Sequence, residues 1–234
     1  MPATVRCVTA AVVLVHGWGG SFEATWQRSG FTELLRDAGR EVIGIDLLGH
    51  GTAPKPHDPE AYADLGARIV DALPDEPVDA IGFSLGAITL LRLAASMPHR
   101  FAHLVLAGVG ENVLRHDEGD GERIAAAVEG RGSDTDTLAG VFAQYAHQPG
   151  NDPAALAAIM RRPRVPLTTA DLEGVTCPTL VVIGDRDFAG PGDPLVAALP
   201  AATMKVLRST DHFATPESFG FIDAALGFIG AVPA

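Results

Sequence analysis

Six short runs rich in β-branched and apolar residues punctuate the chain: Val12–His16, Val42–Asp46, Val78–Phe83, Leu104–Ala107, Leu180–Ile183 and Lys205–Leu207. Several are apolar without interruption, the pattern of strands covered on both faces. Helical patterns lie between them, at Phe31–Ala38, Tyr62–Leu73, Leu85–Met97 and Ser218–Ile229. In the third of these, Leu90, Leu91 and Ala94 recur at helical spacing and Pro98 brings the pattern to a stop. Strand and helix in alternation predict βαβ units around a mostly parallel, doubly wound α/β sheet. At 234 residues, 47% of them apolar, the chain can bury a sizeable core as one large domain.

The alternation lapses once. From Glu111 to Asp171 no convincing strand appears, only polar, glycine-bearing stretches (His116–Glu122 and Gly130–Asp136) and three short alanine-rich helical patterns around Ile124–Val128, Leu138–Tyr145 and Ala154–Met160. Each pattern offers an apolar stripe but is too short to stand alone in water. The expected organisation is therefore a core built from residues 1–110 and 172–234, with residues 111–171 inserted as a small helical cap. Bulky cap residues such as Leu138, Phe142 and Met160 would then shape the entrance to a site. Arg161, Arg162 and Arg164 read as a solvated cap face.

Charge and cysteine content narrow the function classes. The formal net charge is −12 and only Lys55 and Lys205 are lysines, which argues against nucleic acid or an anionic membrane surface as partner. Cys7 and Cys177 are too few for a disulfide framework and read as buried small hydrophobes. No apolar run approaches the roughly 20 residues that span a bilayer, and Ala10–Val15 leads into His16-Gly17 rather than a cleavage site. A soluble, cytoplasmic protein is expected.

The sharpest chemical signal is Gly82-Phe83-Ser84-Leu85-Gly86, which fits G-x-S-x-G between a strand and a helix. A serine on so tight a turn is forced into a strained backbone conformation, with its hydroxyl clear of the sheet at the positive end of the helix. That hydroxyl needs a base, and His212 follows the last strand. The base needs an orienting acid, and Gly184-Asp185-Arg186-Asp187 follows the strand before. Three residues at the carboxyl ends of separate strands would converge on the crevice where such sheets bind ligands.

On these residues the chain resembles the α/β-hydrolase family over nearly its whole length, in the order Ser84, Asp187, His212. The resemblance implies that the acid is the aspartate of a G-x-x-D turn, here Asp187, with Asp185 and Glu111 as alternatives. The family's histidine usually follows a glycine; here Asp211 precedes His212. His16-Gly17-Trp18-Gly19-Gly20 resembles the family's H-G-x-x-G loop, which assigns oxyanion-binding backbone N–H groups to Trp18 and Leu85. His16, Asp46 and His50 read as architectural. The remaining histidines (His57, His99, His103, His116 and His147) form no metal-ligand spacing, and no nucleotide fingerprint is present, so neither metal nor cofactor is expected. Trp18, Phe83, Leu85, Phe188 and Phe213 flank these positions and suggest an apolar pocket for an uncharged small or medium ester. The same triad also resembles those of C–C bond hydrolases, lactonases, thioesterases and cofactor-free haloperoxidases. A slow-turnover receptor-like binder and a lyase are the readings from other classes.

Overall fold

The structure is a computed structural model that describes residues 10–115 and 119–232. Cys7 and His116 lie outside the described residues. In chain order the elements are β1 (Val12–Val15), α1 (Phe31–Asp37), β2 (Val42–Ile45), α2 (Ala67–Val70), β3 (Val78–Phe83), α3 (Leu85–Ser96) and β4 (Phe101–Ala107). Then follow α4 (Asp120–Val128), α5 (Thr137–Ala146), α6 (Pro153–Arg161), α7 (Thr169–Glu173), β5 (Thr179–Gly184), α8 (Asp193–Ala198), β6 (Ala202–Leu207) and α9 (Phe219–Phe228).

All six strands pair in parallel in the order β2-β1-β3-β4-β5-β6. The α/β class and the six strand positions match the sequence expectation. One helix departs from it. In place of a continuous helix over Tyr62–Leu73 there is a tight turn at Pro59–Tyr62 and then the short α2. The Asp64 carboxylate accepts the N–H groups of Gly66 and Ala67, which starts a new helix rather than extending the first turn.

Side chains alternate across the sheet and fill two layers. Val13, Val15, Ala80, Leu104, Leu106 and Val181 face a core shared with α3 and the 111–171 helices. Val12, Leu14, Ile81, Val105 and Val182 face a second core with Trp26 and Phe31 and with Phe221 and Leu226 of α9. At the amino ends of the strands the buried Arg40 guanidinium donates to the Asp79 carboxylate and to the carbonyls of Ala10 and Ile229. Asp79 in turn pairs with His103 across β3 and β4 at 2.7 Å. That clip holds one edge of the sheet together and leaves the carboxyl edge to the loops.

Register aligns the carboxyl edge. Val15 lies beside Gly82, Phe83 beside Ala107, Ala107 beside Val182, and Gly184 beside Leu207. The chain runs from β1 outward to β2 and then returns to β3 on the other side of β1, so a crevice opens between the loops after β1 and β3.

Candidate active site

Ser84 stands between β3 and α3 with φ 49° and ψ −111°, a left-handed backbone that few non-glycine residues adopt. The residues two positions to either side, Gly82 and Gly86, must be glycines for steric reasons. A Cβ on Gly82 would meet the backbone of Ala87 at 2.7 Å, and one on Gly86 would meet the carbonyl oxygens of Val15 and His16 at 2.5 Å. The turn is fixed further by the Ser84 N–H, which donates to Ala107 O at 2.8 Å.

The loops after β5 and β6 supply the other two groups. His212 Nδ1–H donates to Asp187 Oδ1 at 2.9 Å, which leaves Nε2 free to accept from the Ser84 hydroxyl at 3.0 Å. Both the His212 and Asp187 side chains are buried. The two loops are tied together: Arg186 N–H donates to Thr210 O at 3.1 Å. Asp187 Oδ1 also accepts the Ala189 N–H at 2.9 Å, while its Oδ2 is buried with no partner among the described residues. Neither alternative acid reaches the imidazole. Asp185 is exposed, and Glu111 pairs with Arg115. Asp211 is exposed too, accepting the N–H of Ala214 at 2.9 Å.

The loop after β1 faces Ser84, and a Cβ on Gly17 would meet the Phe83 ring at 2.8 Å. His16 is fully buried. Its Nδ1–H donates to Gly17 O at 2.7 Å, and its Nε2 accepts from Leu47 N–H at 3.1 Å, so the ring is neutral in a single tautomer. Burial pulls its pKa below the usual histidine value despite the Gly17 bond and nearby Asp46. The adjacent His50 is driven further, to about 3, by burial and by His16. Neither imidazole can serve as a proton carrier near neutral pH. Among the described residues, the N–H groups of Trp18 and Leu85 donate to no other protein group.

Ser84 and His212 open onto a narrow cleft lined by Trp18, Thr25, Phe83, Phe142, Tyr145 and Phe213. Its free volume of about 20 Å³ is room for on the order of one water molecule. Phe188, though more exposed, stacks on the His212 ring with centroids 4.2 Å apart. Phe142 joins the collar from α5, 5.2 Å from Trp18, 5.7 Å from Phe188 and 6.3 Å from Phe213. Leu138 packs against the core, and Met160 lines a separate concavity with Arg161, Arg162 and Arg164. There Arg161 pairs with Glu122 and Glu129. Sequence reasoning overlooked Thr25, Tyr145 and Asn151. Tyr145 follows Phe142 at i+3 on the α5 stripe, a spacing that places both on one face.

Among the described residues no cluster of His, Cys, Asp or Glu is placed to hold a metal ion, and no helix is long and apolar enough to cross a membrane. The sequence pattern of the alpha/beta hydrolase fold family matches residues 10–128, just over half of the chain. This chain belongs to that family. Within it, an alignment of 247 residues is 29% identical to the pimeloyl-(acyl-carrier protein) methyl ester esterase of Neisseria meningitidis serogroup A, covering 91% of this chain and 72% of that one. For the serogroup B and C counterparts the matched stretch spans less than half of the relative's length. The 2-hydroxy-6-oxo-2,4-heptadienoate hydrolase of Pseudomonas putida is 40% identical over 103 residues, 42% of this chain and 36% of that one. The structure of a thermophilic esterase from Thermogutta terrifontis superposes with a TM-score of 0.71 at 22% identity, over 96% of this chain and 91% of that one, a likeness of fold.

Proposed function

We propose that this alpha/beta hydrolase cleaves an uncharged carboxylic ester through an acyl-enzyme on Ser84. The observation that carries the reading is the relay Ser84 Oγ to His212 Nε2 (3.0 Å) and His212 Nδ1 to Asp187 Oδ1 (2.9 Å). His212 takes the Ser84 proton as Oγ attacks the ester carbonyl, and the Asp187 carboxylate steadies the imidazolium so formed. The N–H groups of Trp18 and Leu85 receive the developing oxyanion. Collapse of the tetrahedral intermediate expels the alcohol, which leaves with the proton from His212. Water, deprotonated by the same imidazole, then frees the acid and restores Ser84. Residues 111–171 act as a cap that shapes entry.

The cleft walls support an uncharged substrate. Among the described residues no Arg or Lys lines them, so a free carboxylate would enter without a countercharge, in a protein of net charge −12. That same feature favours an ester over a dienoate of the kind named for the Pseudomonas relative. Esterase relatives support an ester with a small alcohol, the methyl ester of the Neisseria protein among them.

Ser84→Ala is expected to fold as the parent does and to lose p-nitrophenyl ester hydrolysis by several orders of magnitude, on the order of 10⁵–10⁶ in kcat. A fluorophosphonate probe should modify the parent at Ser84 alone. Full activity in the variant, or the probe on another serine, would remove this assignment. A panel of esters, thioesters and lactones would rank the acyl compounds.

A further inference from the structure

Asn151 lies in the turn between α5 and α6, far in sequence from every residue of the relay. Its Nδ2 donates to Gly19 O at 2.9 Å and to Tyr145 O at 3.1 Å. Both partners are carbonyl oxygens, so the chemistry itself requires the NH₂ end of the amide to face them. Gly19 O belongs to the Gly19–Gly20 peptide, and that rigid plane also carries the Gly20 N–H. The Gly20 N–H donates to Gly17 O at 3.1 Å, alongside His16 Nδ1–H at 2.7 Å. Gly17 O, in turn, is the oxygen of the peptide whose N–H belongs to Trp18. In a trans peptide the N–H points opposite to the carbonyl, so holding Gly17 O aims the Trp18 N–H.

We propose that Asn151 is a positioning residue: acting through two linked peptide planes, it sets the orientation of the Trp18 N–H toward the oxyanion. The inference rests on the reading of that N–H as an oxyanion donor. The loop needs such a hold because two consecutive glycines give the Gly19–Gly20 plane little intrinsic preference. Gly19 already has φ 72°, and a Cβ there would meet the Tyr145 ring at 2.6 Å. A second tie from the same insertion secures the neighbouring residue: the Trp18 indole N–H donates to Leu156 O at 3.1 Å. Residues 111–171 therefore brace the reacting centre as well as covering it.

The test compares the parent with Asn151→Ala and Asn151→Asp on p-nitrophenyl acetate and hexanoate, with inhibition by phenylboronic acid, which forms a tetrahedral adduct on the serine. Removing a donor outright costs about 10²–10³ in kcat, so misaiming one is expected to cost about 10–100-fold on both esters. KM should stay within about two-fold, and the boronate inhibition constant should rise by the factor by which kcat falls. Asn151→Asp keeps the shape but turns a carboxylate toward two carbonyls, so it should do no better than alanine; it carries the test alone if Asn151→Ala fails to fold. Unchanged kcat, or a loss confined to KM or to the hexanoate, would overturn the brace while leaving the esterase reading intact. A parent chain without ester turnover would overturn both.

Discussion

Ser84 holds a backbone conformation that costs on the order of 1–3 kcal/mol, and the surrounding contacts over-determine it. Gly82 and Gly86 let β1, β3 and α3 close around the turn that carries the hydroxyl. Asp187 is held less completely. Oδ1 takes both the imidazole and the Ala189 N–H, whereas Oδ2 has no partner among the described residues. An asparagine can therefore keep its oxygen where Oδ1 stands and its NH₂ where Oδ2 stands. The geometry survives and the negative charge facing the imidazolium is lost. Asp187→Asn should fold normally yet lose at least about 100-fold in kcat, with Asp185→Asn and Glu111→Gln close to the parent in a steady-state ester assay. An inactive Asp185→Asn beside an active Asp187→Asn would reverse the assignment. Ser84, Asp187 and His212 were legible in the sequence because each follows a strand, and parallel strands deliver their ends to one edge. Asn151 was not. Its bond to Gly19 spans 132 residues and leaves no local pattern.

At the level of elements, hydrophobic periodicity located the strands well, since each is buried on at least part of its length and its composition reflects that. It failed at Tyr62–Leu73, where the apolar spacing is helical but the Asp64 carboxylate divides the segment by accepting the Gly66 and Ala67 N–H groups, bonds that periodicity does not register. The insertion helices α4, α5 and α6 have 9, 10 and 9 residues and depend on packing for their stability. Phe142, with Tyr145, is where α5 meets the cleft. Phe142→Ala removes the ring that touches Trp18, Phe188 and Phe213, at a stability cost on the order of 3 kcal/mol by thermal melting. The optimum acyl length should shift upward, octanoate gaining on acetate in kcat/KM. An unchanged chain-length ranking would place the specificity wall elsewhere.

For the molecule as a whole, two buried neutral imidazoles link folding to acidity. His16 and His50 have folded pKa values below the ordinary histidine value of 6.5, His50 at about 3. The unfolded chain therefore binds protons that the folded one refuses. Their contribution to stability is complete above pH 6.5 and declines as pH falls below it, for His50 down to about pH 3. Each such group can cost up to about 1.4 kcal/mol per pH unit within that window. Melting temperatures measured from pH 7.5 to 4.5 should fall, and His50→Asn should flatten the slope. A parent curve that stays level would mean these rings are not held neutral.

The ring collar above His212 also has a kinetic meaning. Side chains from α5 and from the loops after β5 and β6 flank a space of about 20 Å³, so an ester bound at Ser84 has to pass these rings. Passage and acyl transfer are then barriers in series, and the higher one governs the rate. For sluggish esters acyl transfer is the higher, and rates follow the acidity of the departing alcohol. As the alcohol becomes a better leaving group, that barrier sinks beneath the passage barrier, and the enzyme ceases to distinguish one activated ester from the next.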